Sequence, residues 1–125
     1  MSYGIDIVDV RRFVKLMERF GRRLEERLYT LSERKVCSDD LRRGAAYFAI
    51  KEAVAKALGV GIDHISNKGI NLLEVEVRET AGHSLGVKLS GRALCLAMEM
   101  GLQKWAASYS HSSDLAIAFV TAERS

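Results

Sequence analysis

Glu52 and Lys56 stand four residues apart in the stretch Gly44 to Gly61, GAAYFAIKEAVAKALGVG. On a helix, four residues leave side chains about 40° apart, so a carboxylate and an ammonium project from neighbouring turns of one face. Such a pair can be a solvated ion pair worth a few tenths of a kcal/mol. It can also be a proton acceptor and a cation set beside a reacting group. Asp6 gives the second reading weight. It lies between Ile5 and Ile7 in SYGIDIV, and aspartate is depleted in strands unless it is hydrogen-bonded, paired or metal-bound. His111 follows Ser108, Tyr109 and Ser110 and precedes Asp114. Ser110, His111 and Asp114 are too close along the chain for a hydrolase triad, and no nucleophile-elbow pattern surrounds them.

These residues need elements to carry them. Ala46, Ala49, Ile50, Ala53, Val54, Ala57 and Leu58 recur at steps of three and four, the period of a helix facing a core. Lys51, Glu52 and Lys56 stand against that apolar face. Gly59 is a natural left-handed stop, and Asp39 or Asp40 is the cap at the other end. Residues 2 to 8 read as a strand, with Tyr3, Ile5 and Ile7 pointing one way and Gly4, Asp6 and Val8 the other. From Asp9 to about Phe20 the pattern is helical, with Val10, Phe13, Val14 and Met17 on one side and Gly21 as a stop.

A short helical stretch follows from Leu24 to Tyr29. Thr30 to Glu33 then form a T-x-x-E capping box. Beyond a polar loop at Asp63 to Lys68, Asn71 to Val77 alternates like a strand, with Leu73, Val75 and Val77 on one face. A turn around Gly82 and a second strand at Leu85 to Leu89 complete a hairpin. Ser90 to Met100 reads as a helix burying Ala93, Leu94, Ala97 and Met98, closed by Gly101. Gln103 to Tyr109 leads into the last strands, with Trp105 in the core. Leu115 to Ala122 is almost continuously apolar, as in a strand buried on both faces. The expected fold is α+β, an antiparallel sheet packed on a long central helix, and residues 1–125 form one domain.

A chain of 125 residues with 48% hydrophobic and 28% charged side chains has the balance of a soluble globular domain. No apolar run nears the roughly 18 residues of a membrane span. The start MSYGIDIVDV lacks the basic and apolar blocks of a signal peptide, which points to the cytoplasm. Cys37 and Cys95 have no metal-ligand spacing and read as free thiols. Net charge is +3, yet Arg11 to Arg23 holds six basic residues against Glu18 alone. That one-sided stripe argues for an acidic partner. Nucleic acid would also suit a basic stripe, but no nucleic-acid motif and no aromatic cluster for stacking accompany it. Arg42 and Arg43 fall in the first turn of the central helix, where the dipole disfavours cations. A bound anion or an acidic neighbour explains them better than helix stability.

GIDIVDVRRF, FAIKEAVAKALGVGI and SYSH resemble, in this order, the three signatures of the holo-acyl-carrier-protein synthases, the short bacterial-type 4′-phosphopantetheinyl transferases. The resemblance spans nearly the whole chain. It implies the 4′-phosphopantetheinyl transferase fold, and transfer of the phosphopantetheine arm of coenzyme A to a serine of apo acyl carrier protein. Adenosine 3′,5′-bisphosphate leaves, and the product serves fatty acid biosynthesis. It also implies magnesium dependence and a homotrimer with active sites between subunits. Carried over by position, Asp6 and Glu52 are the catalytic and metal-binding carboxylates, with Glu52 the best base for the attacking serine. Lys56 holds a coenzyme A phosphate and His111 lines the coenzyme pocket. Arg12, Arg19 and Arg23 dock the carrier protein. Nucleic acid and membrane are not expected partners.

The chain departs from the family at one informative place. The family usually reads G-R-F-A-A-K-E-A, and here Tyr47 stands at the arginine. A phenol supplies neither the charge nor the forked geometry of a guanidinium. Either Arg42 or Arg43 reaches the same anion, or the coenzyme is held differently around Tyr47. A member that binds coenzyme without turnover, or a basic module that docks nucleic acid, are the alternatives. The Gly-x-Pro turn and upstream tryptophan common in the family's hairpin are absent too, which implies local remodelling there.

Overall fold

Residues 1–60, 69–80 and 85–124 are described by the structure, a computed structural model. Strand β1 covers Ser2–Asp9 and leads directly into helix α1, Val10–Leu28. Asp9 caps α1 by accepting the Arg12 backbone N–H, and Gly21 breaks the helical geometry inside it at φ 54°. The expected stop at Gly21 is therefore a kink between two helical stretches. Helix α2, Leu31–Cys37, starts at the full Thr30/Glu33 capping box. Helix α3, Leu41–Ala57, is capped by Asp40 on the Arg43 N–H and ends before Gly59, whose φ is 75°.

A 3₁₀ turn at Leu72–Glu74 precedes β2, Val75–Glu79. The expected strand thus begins four residues late. Asn71 accepts from Leu73 N while Glu74 reaches back to Asn71 N, and this local box outcompetes extension. Val75 and Val77 are buried as expected, whereas Leu73 in the turn is exposed. Strand β3, Leu85–Leu89, pairs antiparallel with β2. Helix α4, Gly91–Glu99, buries Ala93 and Ala97 but leaves Leu94 and Met98 exposed. Its contact stripe is narrower than the sequence pattern, because the short helix rests on the rest of the molecule along one edge. Strands β4, Leu102–His111, and β5, Leu115–Arg124, complete the sheet. The expected polar loop at 63–68 and most of the hairpin turn around Gly82 lie outside the described residues.

The five strands among the described residues run in the order β1-β5-β4-β3-β2, all antiparallel. Helix α3 lies across one face. It can do so because the facing side chains are small: Gly4 on β1, and Ala116, Ala118 and Ala122 with Val120 on β5, all fully buried or nearly so. At Gly4 the approach is extreme, since a Cβ there would lie 1.8 Å from the Ala53 carbonyl oxygen.

Helix α3 is buried nearly all round, and Lys51 goes in with it. The expectation that Lys51 stands on the polar face is corrected. Its ammonium donates to Glu33 Oε1 at 2.6 Å and to the Leu72 carbonyl at 3.0 Å, and both side chains are wholly shielded from solvent. Glu33 also accepts from Thr30 N and Val77 N, so every partner of the pair is satisfied. Burial pulls the Lys51 pKa down and Glu33 opposes it. Removing either partner would strand a buried charge, at a cost of about 3–5 kcal/mol.

Among the described residues, no helix covers the far face of β1 and β5. Strand β5 alternates, with Ala116, Ala118, Val120 and Ala122 inward and Leu115, Ile117 and Phe119 exposed. The expectation of burial on both faces is therefore corrected for the single chain. Beside them on β1 lie Tyr3, Ile5 and Ile7, also exposed, with Ile5 opposite Phe119 and Ile7 opposite Ile117.

Candidate active site

Helix α3 runs backwards along β1. Ser2 Oγ donates to the Ala57 carbonyl at 2.6 Å, Gly4 abuts Ala53, and the Lys56 ammonium reaches Asp6 Oδ1 at 2.9 Å. Lys56 also donates to the Ile5 carbonyl at 2.9 Å. Side chains on a helix lean toward its N-terminus, which is why Lys56 reaches back toward Asp6. Glu52, one turn earlier on the same flank, is half-buried. Asp6 faces the helix as the alternation of β1 requires, its side chain 15% exposed against 55% for Lys56. Asp6, Glu52 and Lys56 therefore belong to one flank of α3, the edge that β1 forms.

Asp6 and Glu52 offer hard oxygen donors, and Asp6 already holds a cation in Lys56. Among the described residues, no three Asp, Glu, His or Cys side chains gather into an all-protein ion cage. Two carboxylates suit an ion that completes its shell with water and phosphate oxygens, as magnesium does.

The other flank of α3 carries Tyr47, Arg43 and their neighbours. Tyr47 is buried, with its ring edge-on to Tyr109 at 6.5 Å, and Tyr109 stacks on exposed His111 at 5.8 Å. Five helical positions separate Tyr47 from Glu52, a rotation of about 140°. Burial pushes the Tyr47 phenol up, and the Glu79 carboxylate adds to it. Arg43, one turn before Tyr47, faces the Tyr109 side chain, whose hydroxyl pushes the guanidinium pKa up. It also lies 3.8 Å from Glu79. Arg42 is exposed. Of the two expected partners, a bound anion or an acidic neighbour, the acidic neighbour is present, and Arg43 is the one that meets it. Tyr47 and Glu79 also wall a cavity of about 410 Å³ between α2 and β2. In its rim the Glu76 carboxylate is held down at about 2 by the Thr30 hydroxyl and by Arg78 and Ser32.

On α1, Arg12, Arg19 and Arg23 are exposed as expected. Arg19 lies over the Phe20 ring at 5.2 Å. Arg23 lines an open groove of about 310 Å³ with Phe20, Leu24 and Arg27. The apolar part of that surface, Leu16 and Phe20, stands exposed among the arginines. The pattern that marked the basic stripe gave no sign of it.

A family model of the 4′-phosphopantetheinyl transferase superfamily matches residues 2–120. The chain belongs to this superfamily. Among other superfamily members, the holo-[acyl-carrier-protein] synthase of Herpetosiphon aurantiacus is 40% identical over 120 residues, 94% of each chain. That of Geobacter sulfurreducens is 40% identical over 124 residues, covering 97% of this chain and 95% of the relative. The crystal structure of the Helicobacter pylori synthase in complex with coenzyme A superposes with a TM-score of 0.83 at 32% identity, covering 97% of this chain and 99% of that one. A Bacillus anthracis synthase in complex with coenzyme A (3′,5′-ADP) gives 0.75 at 29% identity, over 99% and 96%. The chain's conspicuous polar residues fall into two clusters, candidate half-sites, on opposite flanks of α3. Asp6, Glu52 and Lys56 form one, and Arg43, Tyr47, Tyr109 and His111 the other.

Proposed function

We propose that this protein is a cytoplasmic holo-[acyl-carrier-protein] synthase that transfers 4′-phosphopantetheine from coenzyme A to a serine of apo acyl carrier protein for fatty acid biosynthesis. The observation that carries the reading is the meeting of Asp6 with Lys56 on the flank of α3 that also bears Glu52. The serine Oγ forms a bond to the phosphorus bearing the pantetheine arm, and the anhydride P–O bond breaks. The bridging oxygen leaves with adenosine 3′,5′-bisphosphate. The serine proton passes to Glu52, directly or through a water. Asp6 and Glu52 would hold magnesium, which when bound neutralises charge gathering on the anhydride oxygens. Lys56 binds a coenzyme phosphate. Arg12, Arg19 and Arg23 receive an acidic face of the carrier protein, with Leu16 and Phe20 as the apolar contact between them.

The test is intact-mass spectrometry of an apo acyl carrier protein incubated with this protein, coenzyme A and magnesium. The expected result is a gain of one phosphopantetheine that disappears when the metal is chelated. No gain across several carrier proteins, with the synthase folded, would overturn the reading.

Tyr47 gives the second half-site its own prediction. Arg43 supplies the cation for an anionic group of the coenzyme on this side, and Glu79 is its resting partner. Arg43→Ala should raise the coenzyme A KM about tenfold, in line with the loss of a charge-assisted hydrogen bond. Arg42→Ala should change it less than twofold. Equal effects would detach Arg43 from the coenzyme.

Two half-sites on opposite flanks of one helix call for a second copy to bring them together. The bare apolar face of β1 and β5, with Tyr3, Ile5, Ile7, Leu115, Ile117 and Phe119 exposed, is the surface for it. A contiguous apolar patch of this kind marks an interface. The assembly is a homotrimer. Light scattering should give three times the 13.9 kDa chain mass, and Ile5→Lys should yield a folded, inactive monomer. A monomeric wild-type protein with full activity would remove the interface.

A further inference from the structure

Lys56 is bonded to the carboxylate that any divalent ion on this flank would need. Its ammonium lies 2.9 Å from Asp6 Oδ1 and 2.9 Å from the Ile5 carbonyl oxygen. Asp6 is largely shielded from solvent, whereas most of the Lys56 side chain remains accessible. A shielded carboxylate between two isoleucines requires a counter-charge. In the free protein that counter-charge is Lys56. The lysine is the mobile member, a flexible four-carbon stem rooted on the outer side of α3, while Asp6 is fixed in a paired strand.

We propose that Lys56 is an exchangeable counter-ion: it occupies Asp6 in the free protein and moves to a phosphate of the substrate when a divalent cation takes the carboxylate. The inference rests on the reading of Asp6 and Glu52 as the ion site. Its consequence is energetic coupling. An ion arriving alone must evict the ammonium from two hydrogen bonds and then tolerate a positive charge close by. A phosphate arriving alone must compete with Asp6 for that ammonium. When both arrive, each takes the partner the other releases. By linkage, the factor by which coenzyme A tightens ion binding equals the factor by which the ion tightens coenzyme binding. Free protein therefore holds divalent ions weakly, and the loaded site assembles as a unit.

Direct ion binding tests this without turnover. Mn²⁺ is titrated into the trimeric protein and followed by the loss of free-ion signal in electron paramagnetic resonance. The same titration is made with Asp6→Asn, Lys56→Met, Lys56→Arg and the double variant Asp6→Asn/Lys56→Met. In the absence of coenzyme, Lys56→Met should bind Mn²⁺ about tenfold more tightly than wild type, the order expected for removing one nearby, partly screened positive charge. Lys56→Arg, which keeps the charge, should stay within about threefold of wild type. The double variant should lose the gain. Coenzyme A should tighten Mn²⁺ binding in wild type by a larger factor than in Lys56→Met. Equal or weaker Mn²⁺ binding in Lys56→Met, with Asp6→Asn still abolishing it, would overturn the counter-ion role while leaving the ion site intact. Mn²⁺ binding that ignores Asp6→Asn in every background would overturn the ion site itself, and this inference with it.

Discussion

Glu52→Ala is expected to lower phosphopantetheine transfer by about 10²- to 10⁴-fold, the range for losing a general base, with the upper end reached if an ion ligand is lost as well. The loss should fall on kcat, because in the proposed reaction Glu52 serves the reacting serine and the charge formed during transfer, and not the grip on the rest of the coenzyme. Coenzyme A affinity, assigned in the proposed reaction to Lys56 and the Arg43 half-site, should change only modestly. The fold should survive, since Glu52 lies on the half-exposed flank of α3 and not in the apolar seam. Time courses of carrier-protein mass, with far-ultraviolet circular dichroism as the folding control, would decide it. Activity within tenfold of wild type would remove Glu52 from both roles and leave Asp6 as the sole essential carboxylate.

Gly4→Ala is expected to act through the fold. The added Cβ would sit 1.8 Å from the Ala53 carbonyl oxygen and 2.7 Å from its carbon. Both are backbone atoms of a helix pinned along its length, so neither can swing aside as a side-chain tip would. Strand β1 would have to lift from α3, separating Asp6 from Lys56 two residues along. Overpacking of this kind costs about 3 kcal/mol or more, or roughly 10 °C in Tm for a chain of this size. Gly86→Ala is the control, since its nearest new contact is the Thr80 methyl at 3.4 Å, and it should shift Tm by only a degree or two. A Gly4→Ala protein with wild-type Tm would mean that strand and helix are not held at this distance.

The residues legible in the sequence share a physical reason. Glu52 and Lys56 announce themselves by helical spacing, and Asp6 by being a charge where a strand should have none. Gly21, Gly59 and Gly101 mark positions where the backbone turns to positive φ, which few other residues tolerate. Lys51 was invisible because its partner is eighteen residues away, and periodicity ranks a lysine by its charge, not by the carboxylate waiting for it. Glu33 was visible only in its local task. The box at Thr30 explains one of its oxygens, while the bonds to Lys51 and Val77 come from tertiary packing. Asn71 and Glu74 repeat the same box, a signal that the alternation of NLLEVEV masks. Strand β5 misleads for another reason. A continuous apolar run reports that both faces avoid water, and does not say whether the second face is covered by the same chain.

Glu33 has one more consequence, at the free margin of the sheet. Among the described residues, strand β2 pairs with β3 alone and ends the strand order, so its outer backbone groups form a template on which a foreign strand could grow. The Val77 N–H on that margin is already taken by Glu33 Oε2 at 2.7 Å, a carboxylate clamped in turn by Lys51 and Thr30. At Val77 the margin therefore meets a charge that cannot leave without breaking the core pair. A strand adding at that edge would first have to displace Glu33 from Val77, which disfavours growth of the sheet there while α2 stays folded. Chains losing Glu33 should be recovered as aggregate more readily than their loss of stability alone would explain.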